Sequence, residues 1–436
     1  MTPEIIGGVG LALLLVLLAL GAPIGPTLVL VGAAGLSLLI SPEAAVIKSA
    51  VLTFDTLSRY ELGVLPLFLF MAHLCFSAGA SRDFFNAASK LVGHKAGGLA
   101  LASIGACAGF GAISGSSLAT AATVGAVALP EMRKNGYAPT LATGALAAGG
   151  TLGSLVPPSG ALIVFGIIAE QSIGKLFVAS ILPAITQVLF YMTTIWILCR
   201  FNPALGPATP RAPWRERWAA LRQVWDLGLL ILVVIGGLAV GWFTPTEAAS
   251  VGALGALALC AGRRTLTAES LGKALRDTLR TTGMIYIVVI GALIFSTFVS
   301  VSGLTADLAD SVAGLNAGRL VGLAAMAVAL LVLGSFLDGM ALMLLTTPVF
   351  LPIALKLGVS PIWFGIFLVR TMEIGFVHPP VGMNVYVIHG LAKDIPLTSI
   401  FRGIVPFLIA DFLHLALLIC VPALSLFLPA LLGAGS

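Results

Sequence analysis

The sequence predicts an all-α polytopic membrane protein with about ten transmembrane helices and two re-entrant helical hairpins in an inverted-topology repeat. Three observations carry that prediction. Hydrophobic residues make up 59% of the 436 positions and charged residues 9%, a balance that no soluble globular class shows. Two uncharged or nearly uncharged runs, Ala96–Pro130 and Leu320–Pro352, are too long for one span. As a single helix the first would rise about 52 Å, against a hydrocarbon core of roughly 30 Å. Finally, the two halves of the chain match at one offset of 222 residues.

The elements follow in order. Ile5–Leu20 reads as a first span; Glu4 stands where a signal peptide carries its basic flank, so the span is expected to be retained. After GAPIGP (21–26) a second span runs to Ile40, and Ser41–Leu62 reads as an interfacial amphipathic segment. Residues 1–62 are thus an N-terminal scaffold. A first repeat, 63–199, starts with a span at 63–80 and an amphipathic arm at 81–95. In its hairpin, 96–130, the stretch GFGAISGSS is where a helix is weakest, so the limbs are expected to fold back at Gly109–Ser117. The stretch 139–170 is broken at LVPPSG (155–160), because tandem proline removes donors and clashes with the preceding turn. A span at 176–199 closes this repeat. Residues 200–262 hold the most polar connection (200–226) and scaffold spans at 227–243 and 246–262. The second repeat, 263–430, has an arm at 263–281 and a span at 283–301. Its hairpin, 320–352, carries Asp338 alone in GSFLDG; its broken stretch, 361–392, is interrupted at VHPPVG (377–382), and a last span covers 403–430.

All four prolines between residues 112 and 160 find a proline partner at this offset. Pro130, Pro139, Pro157 and Pro158 fall on Pro352, Pro361, Pro379 and Pro380, while Gly136, Gly153 and Gly160 fall on Gly358, Gly375 and Gly382. Internal repeats of this size are a signature of secondary transporters. Alternating the spans places 17 of the 23 Lys and Arg on one side and five on the other, with Arg370 left inside a span. The positive-inside rule makes the richer side cytoplasmic. The first hairpin then opens to the cytoplasm, the second to the outside, and both termini lie outside. The net charge of +5 speaks of orientation and implies no nucleic acid.

Hairpin tips and proline-broken spans present free carbonyls and amides near mid-membrane, where non-helical backbone persists only if buried or lining a watery cavity. Carbonyls there suit a monovalent cation, and half-helix N-termini suit an anion. Around the first tip Ser114, Ser116 and Ser117 add hydroxyls, beside Gly153–Val156; the matching set is Gly334–Gly339 with Gly375–His378. Membrane-depth ionisable groups are functional candidates by default, which singles out Asp338, Arg370, Glu373 and His378. Arg370 is expected to help bind a substrate carboxylate with Glu373 holding it; His73, Asp411 and His414 read as isolated structural residues. The five cysteines are scattered in apolar runs and the five histidines show no ligand spacing, so disulfides, metal enzymes and cofactors are not expected. GFGAIS lacks the βαβ context of a dinucleotide loop.

GFGAISGSS-x-ATAATVG, LATGALAAGGTLGSLVPPSG and TMEIGFVHPPVGMNVYV together resemble the large membrane subunit of tripartite ATP-independent periplasmic (TRAP) transporters. The resemblance implies a multi-pass protein of the bacterial inner membrane that takes up an organic anion with sodium. That anion is commonly a dicarboxylate, keto acid or sugar acid such as sialic acid. It implies delivery by a soluble periplasmic binding protein, a separate small four-helix membrane subunit, and an elevator motion of hairpins and broken spans past a scaffold. By motif, the first sodium site would use Ser114, Gly153, Val156 and Pro157. The second would use Gly334, Gly375, Val377 and His378, mostly through carbonyls; relatives often have threonine where this chain has His378. Ser116, Ser117, Asp338, Arg370 and Asn384 are the substrate candidates. A stand-alone carrier of similar hairpin architecture is the alternative. An intramembrane enzyme would need a nucleophile with its base or a metal set, and none is visible; a channel would lack alternating access.

Overall fold

The computed structural model describes residues 2–305, 318–335, 337 and 339–432. Among them the chain is helical throughout. The helices are α1 (Pro3–Ala19), α2 (Ile24–Leu39), α3 (Pro42–Ser58), α4 (Val64–Ser77), α5 (Ala80–Val92), α6 (Gly98–Ser114), α7 (Ser117–Lys134), α8 (Pro139–Leu155), α9 (Gly160–Ile168), α10 (Ile173–Phe201), α11 (Trp214–Val240), α12 (Pro245–Gly262) and α13 (Ala268–Val301). Then follow α14 (Gly318–Gly334), α15 (Gly339–Lys356), α16 (Pro361–Gly375), α17 (Met383–Leu391), α18 (Leu397–Cys420) and α19 (Ala423–Leu431). The repeat is structural as well as sequential. Shifting α7 by 222 residues lands on α15 end for end, and α8 and α9 land on α16 and α17 to within two residues. Both tandem prolines, Pro157–Pro158 and Pro379–Pro380, carry a cis bond.

Helices α1–α4 and α11–α13 pack mainly on one another, and α6–α10 pack with α14–α19. Within the second group the repeats exchange partners: α17 lies against α7 and α8, and α9 lies against α15 and α16. Helices α8 and α18 cross at Gly144 and Gly403, where a Cβ on Gly403 would sit 2.0 Å from the Thr140 carbonyl oxygen. Only glycine permits so close a crossing, a device common between helices in membranes. At the rim, Arg133 at the end of α7 bonds Asp394 beyond α17 at 2.9 Å. That hydrogen bond holds the Asp394 carboxyl below its usual range.

Six described helical segments are long and apolar enough to cross a membrane, and the pair α8–α9, bent by 41° at its break, makes a seventh. Length and composition alone leave out α1 and α2, with 17 and 16 residues, as well as α12 and the broken pair α16–α17, and they include the hairpin limb α15. Three expectations change. The fold-back of the first hairpin is confined to Gly115 and Ser116, and GFGA stays helical because Gly111 packs on Gly153. The arm at 263–281 and the span at 283–301 form the single helix α13, capped at Thr267 and uninterrupted by any proline. The last span ends at Cys420, and Pro422 begins a separate short helix.

Candidate functional site

The two breaks follow from the prolines. In a helix the carbonyl of residue i accepts from the N–H of residue i+4, which proline lacks. Pro157 and Pro158 therefore free the carbonyls of Gly153 and Ser154, and Pro379 and Pro380 free those of Gly375 and Phe376. Ser159 Oγ takes the Ser154 oxygen and Asn384 N the Phe376 oxygen. The Gly153 and Gly375 carbonyls are left without a helix donor, at equivalent places in the two repeats.

The first hairpin tip docks on the first break. Gly115, at φ +59°, turns the chain left-handed, and its carbonyl accepts from Gly160 N at 3.2 Å. Ser114 Oγ lies 2.8 Å from Thr120 Oγ1 and 3.4 Å from the Ser116 carbonyl. A Cβ on Gly153 would sit 2.4 Å from Thr120 Oγ1 and 2.5 Å from the Ser116 oxygen, so glycine is what lets tip and break meet. The expected Ser114 and Gly153 are thus together, with Pro157 buried and Val156 half-buried behind them. Thr120 belongs to this group and was missed by sequence reasoning; its signal is a hydroxyl six residues beyond Ser114, one turn into α7. In the second repeat Gly334 and Gly375 are in contact, a Cβ on Gly375 falling 2.9 Å from the Gly334 carbonyl. Val377 is buried. His378 is half-buried, with its ring edge-on to Phe412 and its Nδ1 without a partner. Oxygen donors from two directions fit a small monovalent cation at either break.

A cavity of about 640 Å³ opens beside the tips. The N-terminal turns of α7 (Ser116, Ser117), α9 (Gly160, Ala161) and α15 (Gly339, Met340) border it on one side. On the other are the start of α2, α4 and α13, with Phe68 and Ile285. No ionisable side chain is among the described residues lining it. An anion there meets the N-termini of α2, α7, α9 and α15, the positive ends of their dipoles. Of the substrate candidates, Ser116 and Ser117 line the cavity. Asn384 sits behind them, fully buried: its Nδ2 donates to Ser117 Oγ at 3.0 Å and to the Ala147 carbonyl at 3.1 Å, leaving Oδ1 without a partner. Asp338 lies outside the described residues.

Arg370 is elsewhere. It is fully buried and does not line the cavity. Its Nη2 meets Asp411 Oδ1 at 2.5 Å, its Nη1 meets Glu373 Oε2 at 3.2 Å, and its Nε donates to His414 Nδ1 at 3.1 Å. Three of the five guanidinium N–H donors are thus engaged within this cluster. Asp411 and His414, expected to be isolated, are its partners. Because arginine only donates, His414 Nδ1 accepts and the ring is neutral. The cluster sets one guanidinium against two carboxyl groups, and among the described residues Glu373 Oε1, Asp411 Oδ2 and Gln187 Oε1 have no hydrogen-bond partner.

The model of the family described as "Tripartite ATP-independent periplasmic transporter, DctM component" matches residues 11–424. The chain is 36% identical to the C4-dicarboxylate TRAP transporter large permease protein DctM of Pseudomonas aeruginosa, covering 91% of this chain and 92% of that one. It is 34% identical to the sialic acid TRAP transporter large permease protein SiaM of Vibrio cholerae, over 96% and 97%. Among solved structures, the Alcanivorax borkumensis YdaH transporter shares the fold, with a TM-score of 0.61 at 15% identity over 97% of this chain and 98% of that one. By family match and by motif alike, the chain belongs to the DctM-component large permeases of TRAP transporters, membrane transport proteins and not enzymes.

Proposed function

We propose that this subunit carries an organic anion, a dicarboxylate, keto acid or sugar acid, inward across the bacterial inner membrane together with sodium. A periplasmic binding protein delivers the anion, and a separate small membrane subunit completes the complex. The observation that supports this best is the cavity: polar backbone from the hairpin tips forms one wall and the apolar helices α2, α4 and α13 the other. Sodium at the Gly153 and Gly375 breaks would draw the tips onto their broken helices and so finish the anion-binding wall. An elevator motion fits this layout, because the hairpins and broken helices of the two repeats interlock with each other and meet α2, α4 and α13 across the cavity. The charge segregation of the loops supports periplasmic termini. Relatives named for C4-dicarboxylates and for sialic acid support the anion class without selecting within it. The test is uptake in proteoliposomes with both partners present. Transport should require an inward sodium gradient and be electrogenic. Equal uptake with choline in place of sodium refutes the coupling, and uptake by this chain alone favours a stand-alone carrier.

A further inference from the structure

A buried chain of hydrogen bonds runs between the two breaks. It starts at Thr151, two residues before Gly153, and ends at Glu373, two residues before Gly375; these positions are themselves 222 apart. Thr151 Oγ1 lies 3.0 Å from Tyr191 Oη, and Tyr191 donates to Asp411 Oδ1 at 2.6 Å. Arg370 Nη2 meets the same oxygen, and Nη1 of that guanidinium reaches Glu373. All five side chains are fully buried. They sit on α8, α10, α18 and α16, so the route passes through both repeats and crosses the interface between them.

We propose that this route couples the two candidate cation sites, so that filling one alters the affinity of the other. The proposal rests on the sodium reading above. Two physical features support it. None of these groups can trade a lost partner for water, so a displaced break cannot relax without straining the whole chain of bonds. The route also has two settings at its first end. Tyr191 commits its single hydrogen to the carboxylate, which only accepts. The Thr151 hydrogen therefore chooses between Tyr191 Oη and the Ala148 carbonyl, which lies 2.7 Å away. A movement of α8 at the break decides that choice, and the choice sets how tightly Tyr191 holds Asp411. Tyr191, Asp411 and Arg370 are positioning residues here; none lines the cavity.

The test is equilibrium binding of radioactive sodium to the purified full-length chain with its small subunit, read as stoichiometry and Hill coefficient. The wild type should bind at two sites with a Hill coefficient above one. Tyr191→Phe, which removes only the linking hydroxyl, should bring the coefficient to about one while both sites still fill. Thr151→Val should do the same, and the double variant should be no worse than either single. Gln187→Met also removes a donor to Asp411 Oδ1, at 2.8 Å, but lies off the route, so its coefficient should stay at the wild-type value. An unchanged coefficient in Tyr191→Phe or Thr151→Val overturns the coupling, as does an equal drop in Gln187→Met, which would mean general loosening. Wild-type binding at two sites without cooperativity also overturns it and leaves the sodium reading standing. Absence of any wild-type sodium binding removes the sodium reading itself.

Discussion

Substituting Gly153 by alanine tests whether the first tip and its break form one site. The added Cβ would meet two atoms at 2.4 and 2.5 Å. Thr120 Oγ1 is the end of a side chain and can turn away. The Ser116 oxygen is backbone at the N-cap of α7, so the tip itself must move. Overpacking of this kind costs typically about 1–3 kcal/mol. If half of the upper figure falls on the cation-bound state, sodium affinity drops about tenfold, since about 1.4 kcal/mol is a factor of ten. The assay is thermal unfolding in detergent across a sodium titration. Gly153→Ala should lower the midpoint without sodium and shift the sodium-dependent rise to higher concentration. Gly283→Ala is the control: it lies in α13 with nothing within 4 Å of an added Cβ, and a helical Gly-to-Ala change there should stabilise by roughly 0.5–1 kcal/mol. Wild-type unfolding and sodium response in Gly153→Ala would refute the packing argument.

Two further outcomes are expected. Arg370→Met leaves the buried Asp411 and Glu373 carboxyls without their cation and should cost about 3–5 kcal/mol, whereas Glu373→Gln keeps the guanidinium on Asp411, gives up one bond of 3.2 Å and should unfold close to wild type; the reverse order in thermal unfolding would contradict a cluster held by the Arg370–Asp411 pair. Single cysteines at Lys134 and Lys356, with the exposed native Cys420 replaced, should react with an impermeant reagent from opposite faces of the membrane, and labelling of both from one face would mean that the repeat is not inverted.

What the sequence discloses is what lies in local chemistry and spacing. Tandem prolines dictate the breaks by removing donors, and the 222-residue offset pairs the helices. The turn at Gly115 was read too broadly, because glycine content marks where a helix can yield and not where it does. Packing against Gly153 keeps Gly109–Ser114 helical. The buried network was half visible. Arg370 with Glu373, Asp411 with His414, and Gln187 with Tyr191 are each three or four apart, so each pair shares a helix face. Nothing in one sequence says that the three faces meet, since that depends on how α10, α16 and α18 cross. The same limit hid Thr120 and the placing of Asn384 behind Ser117.

The placement of charge bears on how the proposed carrier would work. A full cation lining the cavity would hold an organic anion tightly, and the tighter the hold, the slower the release on the far side. The described cavity wall has none. It offers four helix N-termini, each equivalent to about half an elementary charge that fades within the first turn. Their pull depends on how closely the tips of α7 and α15 approach the anion, and the tips are placed by their contacts at Gly153 and Gly375. Affinity for the anion would then rise when cations fill the breaks and fall when they leave. Strong capture from dilute solution would belong to a separate binding protein. Arg370, the one arginine at membrane depth by sequence, lies away from that wall, and its bonds to Asp411 and His414 tie the helix of the second break, α16, to α18.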